Sequence, residues 1–135
     1  MRVLITAGAS GIGHAMGLAY EAAGFEVWVT DIDADALSKV PAKWHAHRVA
    51  ASDEAAVAAL FAKVEAAGGL DVLCANAGIA GPTALVENVA LDDWRNCVSV
   101  NLEGAFLATK YASPLMKSAG KGAIVYTSST AGIFG

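Results

Sequence analysis

The sequence predicts a doubly wound, parallel α/β sheet with strand order 3-2-1-4-5 and helices on both faces. Two observations carry that prediction. Short apolar, β-branched runs alternate with segments of helical character along the whole chain. Such alternation calls for parallel pairing through right-handed crossovers. The unusual glycine and polar clusters also fall at the carboxyl ends of those runs, at Gly8 to Gly13, Asp31, Asn76 to Gly78, and Ser128 with Ser129. In such sheets ligands bind beyond the strand carboxyl ends, near the point where strand order reverses.

The first strand is Arg2-Val3-Leu4-Ile5. Thr6 to Gly13 follows, reading Thr-Ala-Gly-Ala-Ser-Gly-Ile-Gly, and then a helix over Ala15 to Ala23 that Gly24 stops. The glycines therefore occupy a strand-to-helix turn. The first N–H groups of a helix lack partners and its dipole is positive there, so a pyrophosphate can sit against Gly8, Ser10, Gly11, Ile12 and Gly13. The spacing departs from G-x-G-x-x-G and is read as T-G-x-x-x-G-x-G, with Gly8, Gly11 and Gly13 as its glycines. A plain tight turn is the competing reading. A P-loop is the poorer alternative, because no Gly-Lys-Ser or Gly-Lys-Thr occurs.

The second strand, Glu26 to Thr30, ends at Asp31, 18 residues past Gly13. A carboxylate there can accept hydrogen bonds from ribose hydroxyls and would repel a 2′-phosphate. Ile32 follows it and Ser10 occupies the glycine turn, so no arginine or lysine adjoins it in the sequence. NAD is therefore expected over NADP, with a turn or capping aspartate as the alternative.

A short helix over Ala34 to Lys39 stops before Pro41, and a brief third strand is expected around Arg48-Val49-Ala50. Ser52 or Asp53 can cap the next helix, whose Val57, Leu60, Phe61 and Val64 fall at i, i+3, i+4 and i+7. Gly68-Gly69 ends it. The fourth strand is Asp71 to Ala75, running into Asn76-Ala77-Gly78. After a loop with Gly81-Pro82, a long helix is expected from Asp92 to Ser118. Trp94, Val98, Leu102 and Phe106 would be its buried face, and Pro114 would bend or loosen its last turns. Trp28 is expected in the core with Trp94 and Phe106. The fifth strand is Ala123 to Thr127.

The chain of 135 residues suffices for one core, and its 56% hydrophobic and 16% charged residues make it globular. A net charge of -4 with scattered lysine and arginine points to no nucleic acid and no membrane surface. No run is long enough to span a bilayer, and no leader pattern precedes the first strand, so a cytoplasmic location is expected. Cys74 and Cys97 are expected to be buried free thiols. His14, His45 and His47 show no metal spacing. His14 is expected at the surface, and His45 with His47 in a solvated loop or strand edge.

On these residues the chain resembles the classical short-chain dehydrogenase/reductase family. Thr6, Gly8, Gly11, Ile12 and Gly13 match its cofactor turn, and Asn76-Ala77-Gly78 matches the end of its Asn-Asn-Ala-Gly motif, with Ala75 in place of the first asparagine. Asn101 falls at its helix-kinking asparagine and Ser129, of Ser128-Ser129, at its catalytic serine. The resemblance implies a Rossmann-type fold and hydride transfer between a nicotinamide and a small alcohol or ketone, in a homo-oligomer. It makes Ser129 the group that hydrogen-bonds the reacting oxygen and Asn101 part of a proton path, with the alternatives of a turn serine and a buried structural asparagine.

Two departures stand beside it. Ala50 replaces an aspartate that contacts the adenine, leaving backbone contacts from Ala50 or Ala51. The family's Tyr-x-x-x-Lys pair is absent: Tyr20 is followed four residues on by Gly24, Tyr111 by Leu115 and Tyr126 by Thr130. The expectation is that residues 1–135 are one dinucleotide-binding domain, incomplete at its C-terminus and inactive alone, from a longer enzyme. A truncated non-catalytic NAD-binding module and a partner-dependent fragment are the alternatives.

Overall fold

The computed structural model describes residues 1–132; residues 133–135 lie outside the described part. The strands are β1 (Arg2–Thr6), β2 (Glu26–Asp31), β3 (His45–Arg48), β4 (Val72–Ala75) and β5 (Ala123–Tyr126). They form one parallel sheet in the order β3-β2-β1-β4-β5, as the alternation predicts. The helices are α1 (Gly11–Ala22), α2 (Ala34–Leu37), α3 (Glu54–Ala66), α4 (Leu91–Val98) and α5 (Gly104–Ala119). A π-helical turn over Ser99–Glu103 joins α4 to α5.

β1 is central because its side chains are apolar on both faces, and Val3, Leu4 and Ile5 are each wholly buried. Successive strand residues face opposite ways. Leu4, Trp28 and Leu73 therefore meet α3 (Val57, Leu60, Phe61, Val64) and α5 (Leu107, Ala108, Ala112, Met116). Val3, Ile5, Val27, Val29 and Cys74 meet Trp44, with Met16 and Tyr20 of α1 packed against them. Burying one such aliphatic side chain is worth about 1.5–3 kcal/mol, so this two-sided burial fixes β1 between β2 and β4.

Four expectations are corrected. α1 begins at Gly11 rather than Ala15, because the glycines themselves form its first turn. β3 is His45–Arg48 rather than residues 48–50. It is an edge strand whose His45 and His47 stack on Trp28 at 4.5 and 5.0 Å, so its inner face carries no aliphatic pattern. The long helix is broken by the π-helical turn, and Trp94, Leu102 and Phe106 are 62%, 68% and 61% exposed. The buried stripe of α5 instead includes the small residues Gly104, Ala108 and Ala112; a Cβ on Gly104 would come within 2.9 Å of the Ala51 Cβ. Cys97 is half-buried, whereas Cys74 is buried.

Trp28 is core, as expected. Asp53, not Ser52, caps α3, accepting the Ala56 N–H at 3.0 Å. α5 runs through Pro114 to Ala119 and closes on Gly120 at φ +66°. Among the described residues no helix is long and apolar enough to cross a membrane.

Candidate functional site

The β1–α1 turn departs from its expected spacing in one respect. The first glycine of T-G-x-x-x-G-x-G falls on Ala7, not Gly8. Ala7 has φ +50°, the left-handed conformation that glycine adopts without strain, and is the one non-glycine there among the described residues. Gly8 is required for a different reason. Its N–H donates to the Thr30 carbonyl at 2.9 Å, and a Cβ would stand 2.7 Å from Val29 Cγ1. A Cβ on Gly13 would run into the Ala7 carbonyl and within 2.9 Å of Asn76 Nδ2, so Gly13 lets α1 close onto the strand ends. Gly11, at φ +52°, would point a Cβ into open space.

The N-terminus of α1 is built to receive an anion. Ser10 is its extended N-cap, yet its side chain makes no capping bond, and no acidic residue lies in the first turn. The leading N–H groups of Gly11, Ile12 and Gly13 therefore keep their bonding capacity. They face a cavity of about 570 Å³ whose wall also includes Ser10, Asn76, Gly78, Asn101 and Ser129. Unpaired donors at a positive helix end, with no competing carboxylate, fit a pyrophosphate.

A second cavity, about 320 Å³, shares Ala7, Ala77, Gly78 and Ile79 with the first and extends to Asp31, Ile32, Ala50 and Ala51. One carboxylate oxygen of Asp31 accepts the N–H groups of Ile32 (2.8 Å) and Asp33 (3.2 Å), and the other accepts that of Ala9 (3.3 Å). These bonds fix the carboxylate at the cavity wall. No cation adjoins Asp31 in the chain, but the sheet places one opposite it on the neighbouring strand. Arg48 is the register partner of Asp31, and its Nε donates to the Ile32 carbonyl at 3.1 Å.

At the other end, Asn76 ties three strands together. Its Nδ2 donates to the carbonyls of Thr6 (3.1 Å) and Ala7 (3.3 Å), and its Oδ1 accepts the Thr127 hydroxyl at 2.8 Å. Thr6 stands out in the sequence only as the first residue of the glycine turn, and Thr127 not at all; a threonine at a strand end looks like any β-branched residue until its partner is known. Asn101 lies in the π-helical turn and clamps Ile79, accepting its N–H at 2.7 Å and donating to its carbonyl at 2.9 Å. Ser129 Oγ accepts the Ala131 N–H at 3.1 Å, and among the described residues its own hydroxyl proton has no acceptor. His14 is half-buried against Trp44, with ring centroids 5.3 Å apart, and lines neither cavity. Among the described residues no cluster of histidine, cysteine and acidic side chains could hold a metal ion.

A family model described as short chain dehydrogenase matches residues 1–135. The chain is 37% identical to the 2-dehydro-3-deoxy-L-rhamnonate dehydrogenase (NAD(+)) of a Sphingomonas species, over 96% of this chain and 53% of that protein. It is 36% identical to the cyclohexanol dehydrogenase of an Acinetobacter species, over 98% of this chain and 56% of that protein. The solved structure of an NAD+-bound xylitol dehydrogenase superposes with a TM-score of 0.92 at 30% identity, covering 99% of this chain and 55% of that one. The chain thus spans about half the length of the curated relatives it matches.

Proposed function

The chain belongs to the short-chain dehydrogenase family, and from that premise we propose that residues 1–135 are the NAD(H)-binding domain of an oxidoreductase acting on a small alcohol or ketone. One observation carries this reading. The unpaired N–H groups at the start of α1 face a cavity that continues, past Ala7 and Gly78, to the Asp31 carboxylate. A dinucleotide needs donors for its pyrophosphate and an acceptor for its adenosine ribose, and they stand in that order. Asp31 supports a preference for NAD over NADP.

When bound, the nicotinamide supplies or accepts the hydride. The residues here bind and orient. Gly11, Ile12 and Gly13 offer backbone donors to the pyrophosphate, Asp31 accepts from the ribose, and Ala50 and Ala51 line the adenine end. Asn76, Ala77 and Gly78 form the wall between the two cavities. Ser129 Oγ–H donates to the substrate oxygen. Both ends of the Asn101 amide are occupied by Ile79, so Asn101 acts as a positioning residue for the loop after β4. The tyrosine and lysine that the family resemblance implies for proton transfer are not among residues 1–135. These residues alone are therefore proposed to bind and not to turn over; NADH formation by them with a secondary alcohol would refute that.

The exposed stripe of Trp94, Leu102 and Phe106 supports the further reading that the protein self-associates. Titration calorimetry with NAD+ tests the central claim. Saturable one-site binding is expected, and no binding by the folded protein would overturn it.

A further inference from the structure

We propose that Arg48 is a second determinant of cofactor choice, holding a positive charge at the ribose end of the site that lets a 2′-phosphate sit beside Asp31. This rests on the dinucleotide reading of the two cavities. Asp31 and Arg48 are far apart in the chain but directly opposed on neighbouring strands. The bond from Arg48 Nε to the Ile32 carbonyl, 3.1 Å, draws the guanidinium to the residue that follows Asp31 and lines the same cavity. Val49 and Ala50, next after Arg48, line that cavity too, and Arg48 itself lines an adjoining one with His47, Val49 and Lys63.

The guanidinium has capacity to spare. Arginine carries five N–H donors and no acceptor. Apart from Nε, none of its nitrogens has a hydrogen-bond partner among the described residues, and no carboxylate there forms an ion pair with it. The Asp31 carboxylate, in contrast, already accepts three backbone N–H groups. A phosphate on the ribose 2′-oxygen would meet one negative charge partly satisfied by backbone donors and one positive charge with open donors. Asp31 keeps NAD favoured, and Arg48 narrows the margin. The plainer role for Arg48 is a solvated charge that guards an edge strand from pairing; that role predicts no difference between the two dinucleotides.

The test is titration calorimetry of the purified protein with NAD+ and with NADP+ at low salt, for the wild type, Arg48→Gln, Arg48→Lys and Arg48→Glu. One partly screened charge near a bound phosphate is worth about five- to tenfold in affinity. Arg48→Gln is expected to weaken NADP+ by that factor and NAD+ by less than about twofold. Arg48→Lys should keep the wild-type ratio and Arg48→Glu lower it further. The wild-type advantage over Arg48→Gln should vanish in about 0.5 M salt, where the screening length is only a few ångströms. Equal losses for both dinucleotides, an unchanged ratio, or a wild type that binds NAD+ but not NADP+ would overturn the role of Arg48 while leaving the site intact. Failure of the wild type to bind either dinucleotide would overturn the site and this role together.

Discussion

The Thr6 hydroxyl stands 2.9 Å from the backbone nitrogens of both Asn76 and Ala77, so one buried side chain of β1 closes the end of β4. Thr6→Val keeps the shape and removes the acceptor. Leaving a buried donor unpaired costs about 1–3 kcal/mol, and two N–H groups share this oxygen. Urea unfolding is expected to show a loss of about 2–3 kcal/mol, with Thr6→Ser close to wild type. A loss below about 0.5 kcal/mol would show that other partners satisfy these donors.

Ser10 caps α1 without using its side chain. Ser10→Asp adds an acceptor and a negative charge at the positive helix end, which favours the fold by about 0.5–1 kcal/mol. The same carboxylate would stand where the pyrophosphate is proposed to bind. Thermal unfolding should therefore shift up while NAD affinity falls by about tenfold or more. Gain of stability with undiminished affinity would place the anion elsewhere.

Ala7 holds the left-handed conformation at φ +50°. That conformation costs an L-residue about 1–2 kcal/mol, and the greater freedom of unfolded glycine offsets about half of this. Ala7→Gly is expected to raise the melting midpoint by about 1–3 °C. A lowered midpoint in calorimetry would show that the Ala7 methyl makes contacts worth more than its strain.

His47 stacks on Trp28, and its Nε2 is buried without a partner among the described residues. Burial, and then the positive charges of Lys63 and His45, hold its pKa below the ordinary histidine value. The unfolded chain thus binds this proton first, at about pH 6.5. Stability falls as pH drops through that value and the loss levels off below the folded pKa. His47→Gln should flatten urea midpoints between about pH 7.5 and 5, a window above the range where Glu26 and Asp71 titrate, since hydrogen bonds from Arg2 and Lys121 respectively hold those carboxyls low. An equally steep profile in the variant would assign the dependence to another group.

What the sequence made legible follows from how each residue is used. Val3, Leu4 and Ile5 announce a buried strand because both faces of the sheet are covered, and Asp31 and Asn76 stand out because polar residues end apolar runs. Two things were illegible. The apolar spacing of Trp94, Leu102 and Phe106 marks a stripe, but not whether it faces the core; the true contact stripe has the small residues Gly104, Ala108 and Ala112, which carry little hydropathic signal. Arg48 is distant from Asp31 in the chain, and only the β2–β3 register brings it beside the site. Sequence adjacency reports charges along one strand, whereas a parallel sheet assembles them across strands.

The position of β1 between β2 and β4 also orders events on the ribosome. β1, α1 and β2 can associate once Asp31 has emerged. The Thr6 hydroxyl then waits for Asn76 and Ala77, made 45 and 46 residues after Asp31. The glycine turn is thus synthesised well before the segment that fastens it, and until then one edge of β1 stays open in the nascent chain.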